Sequence, residues 1–317
     1  MILCVTLNPC LDKTLTVPKW SVGDSVRGQS VREVVGGKGN NVCRALTRLG
    51  HKSVRPVTFL GGAVGLRCEE LLREVDQVEP MITRTRSATR EILTVQTEET
   101  NEQTAFFDPD PAITRDEADA LLASVESALA SGTVKAITLS GSSPSPATHG
   151  VFSDLIALAQ SWQVPTFLDT YGPSLEGIWG FWPEVMQLNL KEAGLHLKLP
   201  KGRPSESDLI ALLERWSRRG VRASVVTDGA NRFVARVGKF TYRVAPPAIE
   251  PVNPIGSGDC FLAGLVDAAL SNLLPEAQLQ HAVGCAVANA MVWDAGGITR
   301  EDVEEFASQV VVEKLTR

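Results

Sequence analysis

Residues 253–264 read NPIGSGDCFLAG and set Gly256, Ser257, Gly258 and Asp259 directly ahead of an apolar run. Phe261, Leu262, Leu265, Val266 and Ala269 recur at helical spacing, so a helix is expected to start near Asp259. Glycines let a backbone turn tightly and be approached closely. The N–H groups of a helix's first turn, with the helix dipole, form a ready anion site. A carboxylate inside such a site repels the anion that the site would hold. Asp259 therefore reads as a group that handles a proton beside a phosphate, not as a phosphate ligand.

Upstream, short β-rich runs end in polar residues: ILCVTLN at Asn8, VKAITLSGS at Ser140 to Ser142, VPTFLD at Asp169, EVMQLN at Asn189 and ASVVTDG at Thr227 to Gly229. Helical patterns fall between them. ITRDEADALLASVESALASG opens on a Thr114-x-x-Glu117 capping box and stops at Gly132. SESDLIALLERWSRRG runs from Ser205 to Gly220 with Leu209, Ile210, Leu212, Leu213 and Trp216 on one face. This alternation predicts an α/β fold, a mostly parallel sheet with helices on both sides, in one domain spanning residues 1–317. Ligands of such sheets sit beyond the carboxyl ends of the strands, where these polar residues fall. Any one of them can simply begin a loop; together they outline a crevice.

Two stretches depart from the alternation. Residues 12–34 and 84–107 read as strands without intervening helices, which predicts an antiparallel β lid over the ligand edge. Arg84, Arg86 and Arg90 would share a face of one unbroken strand, either as a solvated basic face or as a phosphate clamp. Residues 34–50, VVGGKGNNVCRALTRLG, place Gly36, Gly37, Lys38, Gly39 and Asn41 before a helix expected from about Val42 to Leu49. Neither the Walker A spacing nor G-x-G-x-x-G is present. Exposed backbone N–H groups with a lysine among them suit a polyhydroxylated or phosphorylated ligand.

Over 317 residues the net charge is −6, which gives no global basic field for nucleic acid or an anionic membrane. The first apolar run, MILCVTL, is too short for a signal or a span and lacks a basic flank, so a cytoplasmic location is expected. Cys4, Cys10, Cys43, Cys68, Cys260 and Cys285 form no C-x-x-C pair, and the histidines form no H-E-x-x-H. Neither a disulfide framework nor a zinc site is expected.

TLNPCLDKTLTV, GGKGNNVCRALTRLG, FLGG, LSGS, the N-x-x-E of Asn189 to Glu192 and NPIGSGDCFLAGL occur in this order over nearly the whole chain. Together they resemble the ribokinase-like PfkB sugar kinases, in particular the branch of 1-phosphofructokinase and tagatose-6-phosphate kinase. That resemblance implies an α/β core with a small β lid through which a homodimer forms. It implies phosphorylation of a sugar or sugar phosphate dependent on ATP and Mg2+. By the same resemblance Asp259 is the catalytic base, with Gly256, Ser257 and Gly258 as the anion hole. Asp12, Gly37, Lys38 and Asn41 match sugar contacts, and Arg90 and Arg27 match binders of the substrate's own phosphate. Asn189, Glu192, Thr227 and Gly229 match the ATP side, with Glu192 reaching the metal through water or phosphate.

Three positions depart from the family pattern. Thr104-Ala105-Phe106-Phe107 replaces Thr-Glu-x-Asn, Gln187-Leu188-Asn189 replaces Lys-Pro-Asn, and Pro254, which has no N–H, replaces a threonine. The first removes polar side chains near the sugar and points away from fructose 1-phosphate; the second removes a lysine near the nucleotide phosphates. The competing readings are a kinase of an unphosphorylated sugar or nucleoside, and a non-catalytic sugar-phosphate sensor. Lys38 and Arg90 oppose the former, and an intact Asp259 opposes the latter.

Overall fold

A computed structural model describes the chain except for residues 101, 179, 199–202 and 316–317. The chain begins with β1 (Ile2–Thr6), in which every residue is buried, as suits the middle strand of a sheet covered on both faces. β1 lies between β4 (Val54–Leu60) and β8 (Ala136–Ser140), parallel to both. Outward from β4 comes β5 (Met81–Arg84). Outward from β8 come β9 (Thr166–Asp169), β10 (Val185–Asn189) and β11 (Ala223–Thr227), all parallel. An antiparallel meander of β12 (Phe233–Val237), β13 (Phe240–Ala245) and β14 (Val311–Leu315) finishes the ten-stranded sheet. The predicted parallel α/β core is present. Strand order reverses between β1 and β8, and a crevice opens at such a reversal.

Helices cover the two faces. Alternation along β1 sends Ile2 and Cys4 into one core and Leu3 and Val5 into the other. The first core is closed by α1 (Lys38–Arg48), α2 (Gly62–Glu74), α8 (Ser257–Leu270), α9 (Pro275–Ala290) and α10 (Arg300–Ser308). The second is closed by α3 (Arg115–Ala130), α4 (Val151–Ser161), α6 (Leu190–His196) and α7 (Glu206–Arg218), with α5 (Pro173–Glu176) a single turn. Thr114 and Glu117 make the predicted capping box on α3, and Glu117 also accepts the Arg86 N–H at 2.7 Å. Among the described residues no helix is long and apolar enough to cross a membrane. All six cysteines are free and buried.

A second sheet of β3 (Ser30–Gly36), β2 (Cys10–Val17), β6 (Arg90–Thr97) and β7 (Gln103–Phe107) stands apart from the first. It departs from the sequence expectation in two ways. Its central pair, β2 with β6, is parallel, not antiparallel. Arg84 ends β5 in the large sheet and pairs with Glu69, whereas Arg90 begins β6, so the three arginines do not share one strand. The break over residues 85–89 carries the chain from one sheet to the other. α1 also begins earlier than expected, at Lys38. The Asn40 and Asn41 N–H groups both donate to the Gly37 carbonyl, and the Asn40 side chain donates to Gly36 O at 2.8 Å.

Trp216 is 1% exposed and is the largest side chain in the second core. Trp216→Ala should lower unfolding free energy by about 3–5 kcal/mol in urea titrations. A loss under about 1 kcal/mol would show that α7 contributes little to that core.

Candidate active site

The start of α8 is built to leave donors open. Gly256 sits at φ 85°, and a Cβ there would come within 2.7 Å of the Ala295 Cβ, so the turn requires glycine. The Ser257 N–H is occupied by the Pro254 carbonyl at 3.2 Å. Among the described residues, the N–H groups of Gly256, Gly258 and Asp259 have no hydrogen-bond partner. Asn289 on α9 locks this turn: its Nδ2 donates to Ile255 O at 2.8 Å and to Ser257 Oγ at 3.2 Å. From the sheet, Gln187 Nε2 donates to Gly258 O at 2.8 Å. The position where the family pattern has lysine is thus a strut between β10 and α8.

Asp259 is 6% exposed and accepts a bond from Asn41 Nδ2 at 2.8 Å. Burial pushes its pKa up to about 7; the Asp169 and Glu192 charges add to that, while Lys38 and Asn41 oppose it. Lys38, in the first turn of α1, donates to Asp169 at 3.0 Å and to Glu192 at 3.3 Å, and lies 5.3 Å from the Tyr171 ring centre. Burial alone would lower the Lys38 pKa, yet Asp169, Glu192 and Asp259 together hold it above the ordinary lysine range. Glu192 is raised, by burial first and then by Asp169. Its other oxygen accepts the Asn189 N–H at 2.9 Å while Asn189 Oδ1 accepts the Glu192 N–H, a capping box that fixes both at the start of α6.

On the small-sheet side, Asp12 of β2 stands against Gly36, where a Cβ would lie 2.0 Å from its Oδ2. The Cys10 thiol donates to Asp12 at 3.4 Å. Burial raises the Asp12 pKa, with Cys10, Arg90 and Arg44 opposing it. Arg90 is the register partner of Cys10. Its Nη2 reaches Asn8 O at 3.4 Å and its Nη1 reaches Asp110 at 3.4 Å, while its Nε is buried without a partner. Asn8, at the strand-order reversal, donates to Asp110 at 2.8 Å and to Ser142 Oγ at 3.1 Å.

Bordering the α8 start at Ser257 and Gly258 lies a cleft of about 330 Å³ also lined by Asn189, Thr227, Gly229 and Phe261 and by prolines including Pro246 and Pro251. Thr227 Oγ1 points at Leu188 O from 3.5 Å, and Gly229 has φ 57° with open space where a side chain would be.

Lys38, Asn41 and Asp259 therefore meet at one point, Asp12 and Arg90 at a second, and Asn189, Thr227 and Gly229 at a third. Gly37 caps the helix carrying Lys38. Arg27 is not brought in. It is exposed, without a charged partner among the described residues, on the loop beside Thr16 at the far end of β2 from Asp12. Asp169 and Asn289 are additions to the sequence-derived set. Asp169 is visible in the sequence only as a polar strand end; Asn289 lies inside a helical run and carries no local signal.

Gly256→Ala should destabilise the protein by about 1–3 kcal/mol in chemical denaturation, because the new Cβ meets Ala295 in a left-handed turn. An unchanged midpoint would mean that the turn relaxes freely.

The chain matches the pfkB family carbohydrate kinase over residues 5–300. Solved structures with a similar fold include a possible 1-phosphofructokinase of Thermotoga maritima, 23% identical over 100% of each chain with a TM-score of 0.87. Escherichia coli phosphofructokinase-2 in complex with potassium is 22% identical over 98% of each chain with a TM-score of 0.87. The same enzyme in complex with fructose-6-phosphate is 23% identical over 97% of this chain and 98% of that one, with a TM-score of 0.83. At these identities the structures establish a common fold. The family match covers almost the whole chain, including both glycine turns and Asp259, and the chain belongs to the pfkB family of carbohydrate kinases.

Proposed function

We propose that this kinase transfers the γ-phosphoryl group of ATP to a hydroxyl of a ketohexose phosphate, with Asp259 as the general base. The observation that carries the reading is a buried carboxylate tuned to about 7 beside the unpartnered N–H groups of Gly256, Gly258 and Asp259. A base works best when its pKa lies near the working pH. Asp259 accepts the proton of the attacking hydroxyl while the helix-start N–H groups stabilise charge on the transferring phosphoryl group. Lys38, pinned by Asp169 and Glu192, keeps a positive charge beside that path.

The proline-rich cleft suits the nucleotide: Phe261 and the prolines offer apolar contact, Asn189 and Thr227 polar contact, and Gly229 an uncovered backbone. For a divalent cation the nearby carboxylates are Glu192 and Asp169, both already engaged by Lys38. That arrangement fits Mg2+ held mainly by phosphate oxygens, with Glu192 reached through water. When bound, the cation neutralises phosphate charge.

The acceptor's own phosphate is assigned to Arg90, whose Nε is unpartnered and whose terminal nitrogens make only long contacts. Ala105, Phe106 and Phe107 of β7 offer no side-chain hydrogen bond to a sugar. That departure counts against fructose 1-phosphate, and the proposed acceptor is a ketohexose phosphate as a class. Phe106 and Phe107, one on each face of the edge strand β7, are 52% and 65% exposed, which supports a dimer that covers this edge of the small sheet.

Asp259→Asn should keep the fold and ATP binding while losing about a hundred- to ten-thousand-fold in kcat. Wild-type kcat/KM should fall about tenfold per pH unit below about 7, because the protonated acid cannot accept a proton. A wild-type kcat in Asp259→Asn removes the base assignment. Arg90→Ala should collapse kcat/KM for the preferred sugar phosphate by about one to two powers of ten and leave ATP affinity unchanged. Better turnover of free fructose than of any sugar phosphate by the unmutated enzyme would overturn the acceptor assignment.

A further inference from the structure

Arg44 lies on α1 one turn beyond Asn41, and its side chain is 11% exposed. Each of its N–H donors is engaged. Nε and Nη2 each donate to the Asp76 carboxylate at 2.8 Å, Nη2 also to Val35 O at 3.2 Å, and Nη1 to Ala295 O at 2.9 Å and to Asn41 Oδ1 at 3.0 Å. These partners come from separate places: the end of α2, strand β3 of the small sheet, the loop between α9 and α10, and α1 itself.

The bond to Asn41 has a chemical consequence. A guanidinium has only donors, so it accepts just one orientation of the Asn41 amide, with Oδ1 toward itself. The amide nitrogen is then forced to the other side, where it donates to Asp259 Oδ2 at 2.8 Å. A flipped amide would set N–H against N–H at Arg44 and oxygen against oxygen at Asp259. Ala295 links the same guanidinium to the Gly256 turn, since its Cβ lies 2.7 Å from where a Cβ on Gly256 would be.

We infer that Arg44 is a positioning residue for Asp259: it sets the Asn41 amide so that it donates to the carboxylate, and it ties strand β3 of the small sheet to that arrangement. Arg44 touches neither substrate nor nucleotide in this assignment. The inference rests on the reading of Asp259 as general base for its effect on rate, but not for its effect on the carboxylate itself. A hydrogen bond to the ionised form favours that form, so losing it lets burial raise Asp259 further.

The test is the titration of Asp259 in the full-length protein, followed by carboxyl-carbon NMR alongside the pH dependence of kcat/KM. Arg44→Met and Arg44→Gln should each move the Asp259 midpoint and the acid limb upward from about 7 by about one pH unit. Asn41→Ala should give the same shift, and combining it with either Arg44 variant should add nothing further. Asp76→Asn, which weakens the anchor but leaves Nη1 on Asn41, should lower Tm without moving the midpoint. An unmoved midpoint in both Arg44 variants overturns the inference, as does a shift that adds to that of Asn41→Ala. Should either Arg44 variant fail to fold, the other together with the Asp76→Asn contrast still decides. Failure of the base reading looks different: Asp259→Asn would stay active while the NMR midpoint still followed Arg44.

Discussion

A carboxylate buried at the start of α8 has to be kept ionisable, and much of the surrounding structure follows from that requirement. Desolvation alone would drive Asp259 far into its neutral form. Lys38 and Asn41 pull it back, and both stand in the first turn of α1, one of the helices packed beside α8. Lys38 cannot do this alone, because a half-buried ammonium also needs compensation. Asp169 from β9 and Glu192 from α6 supply it, and they in turn raise Asp259. The charges form a closed set contributed by four elements, so a displacement of any one changes the proton affinity of Asp259.

The topology explains why these elements meet. Parallel strands β8 to β11 all deliver their carboxyl ends to one rim, which carries Ser140, Asp169, Asn189 and Thr227. β1 ends on the same rim and continues almost at once into β2, so the small sheet rises from the edge of the crevice. Asn8 marks the joint, with one amide bonded to both Asp110 and Ser142. Asp12 and Arg90 then face the crevice side because β2 and β6 pair in parallel, which sets Cys10 beside Arg90. An antiparallel pairing would have sent Arg90 to the other end of the lid.

Local sequence carries some of these features and not others. Strand ends and helix caps are short-range features, and ILCVTLN, VPTFLD and the Thr114–Glu117 box were legible because their physics spans a few residues. The order in which lid strands pair is a long-range choice, and nothing within residues 84–107 reveals that β6 adds beside β2. The break at residues 85–89 was hidden for the same reason: even spacing of arginines fits a strand until the chain leaves it. Asp259 stood out because a carboxylate in a glycine turn conflicts with its neighbours. Arg44 and Asn289 gave no such conflict, each sitting at an ordinary helical position, and their partners lie far along the chain.

The departures from the family pattern acquire a mechanical meaning in this setting. Pro254 lacks an N–H, but its carbonyl receives the Ser257 N–H and tightens the turn before α8. Gln187 lacks the charge of a lysine, but its amide holds the Gly258 carbonyl and fastens the same turn to β10. With Asn289 gripping Ile255 O and Ser257 Oγ from α9, the turn is held from the sheet, from the neighbouring helix and from within. A lysine at position 187 would bring a cation close to Gly258; the glutamine trades that charge for rigidity. Phosphoryl transfer gains from both charge neutralisation and fixed geometry, and here the second is reinforced where the first is reduced. Lys38 then carries more of the positive charge at this site, and that gives its three-carboxylate environment a direct role in how much of that charge a bound phosphate can feel.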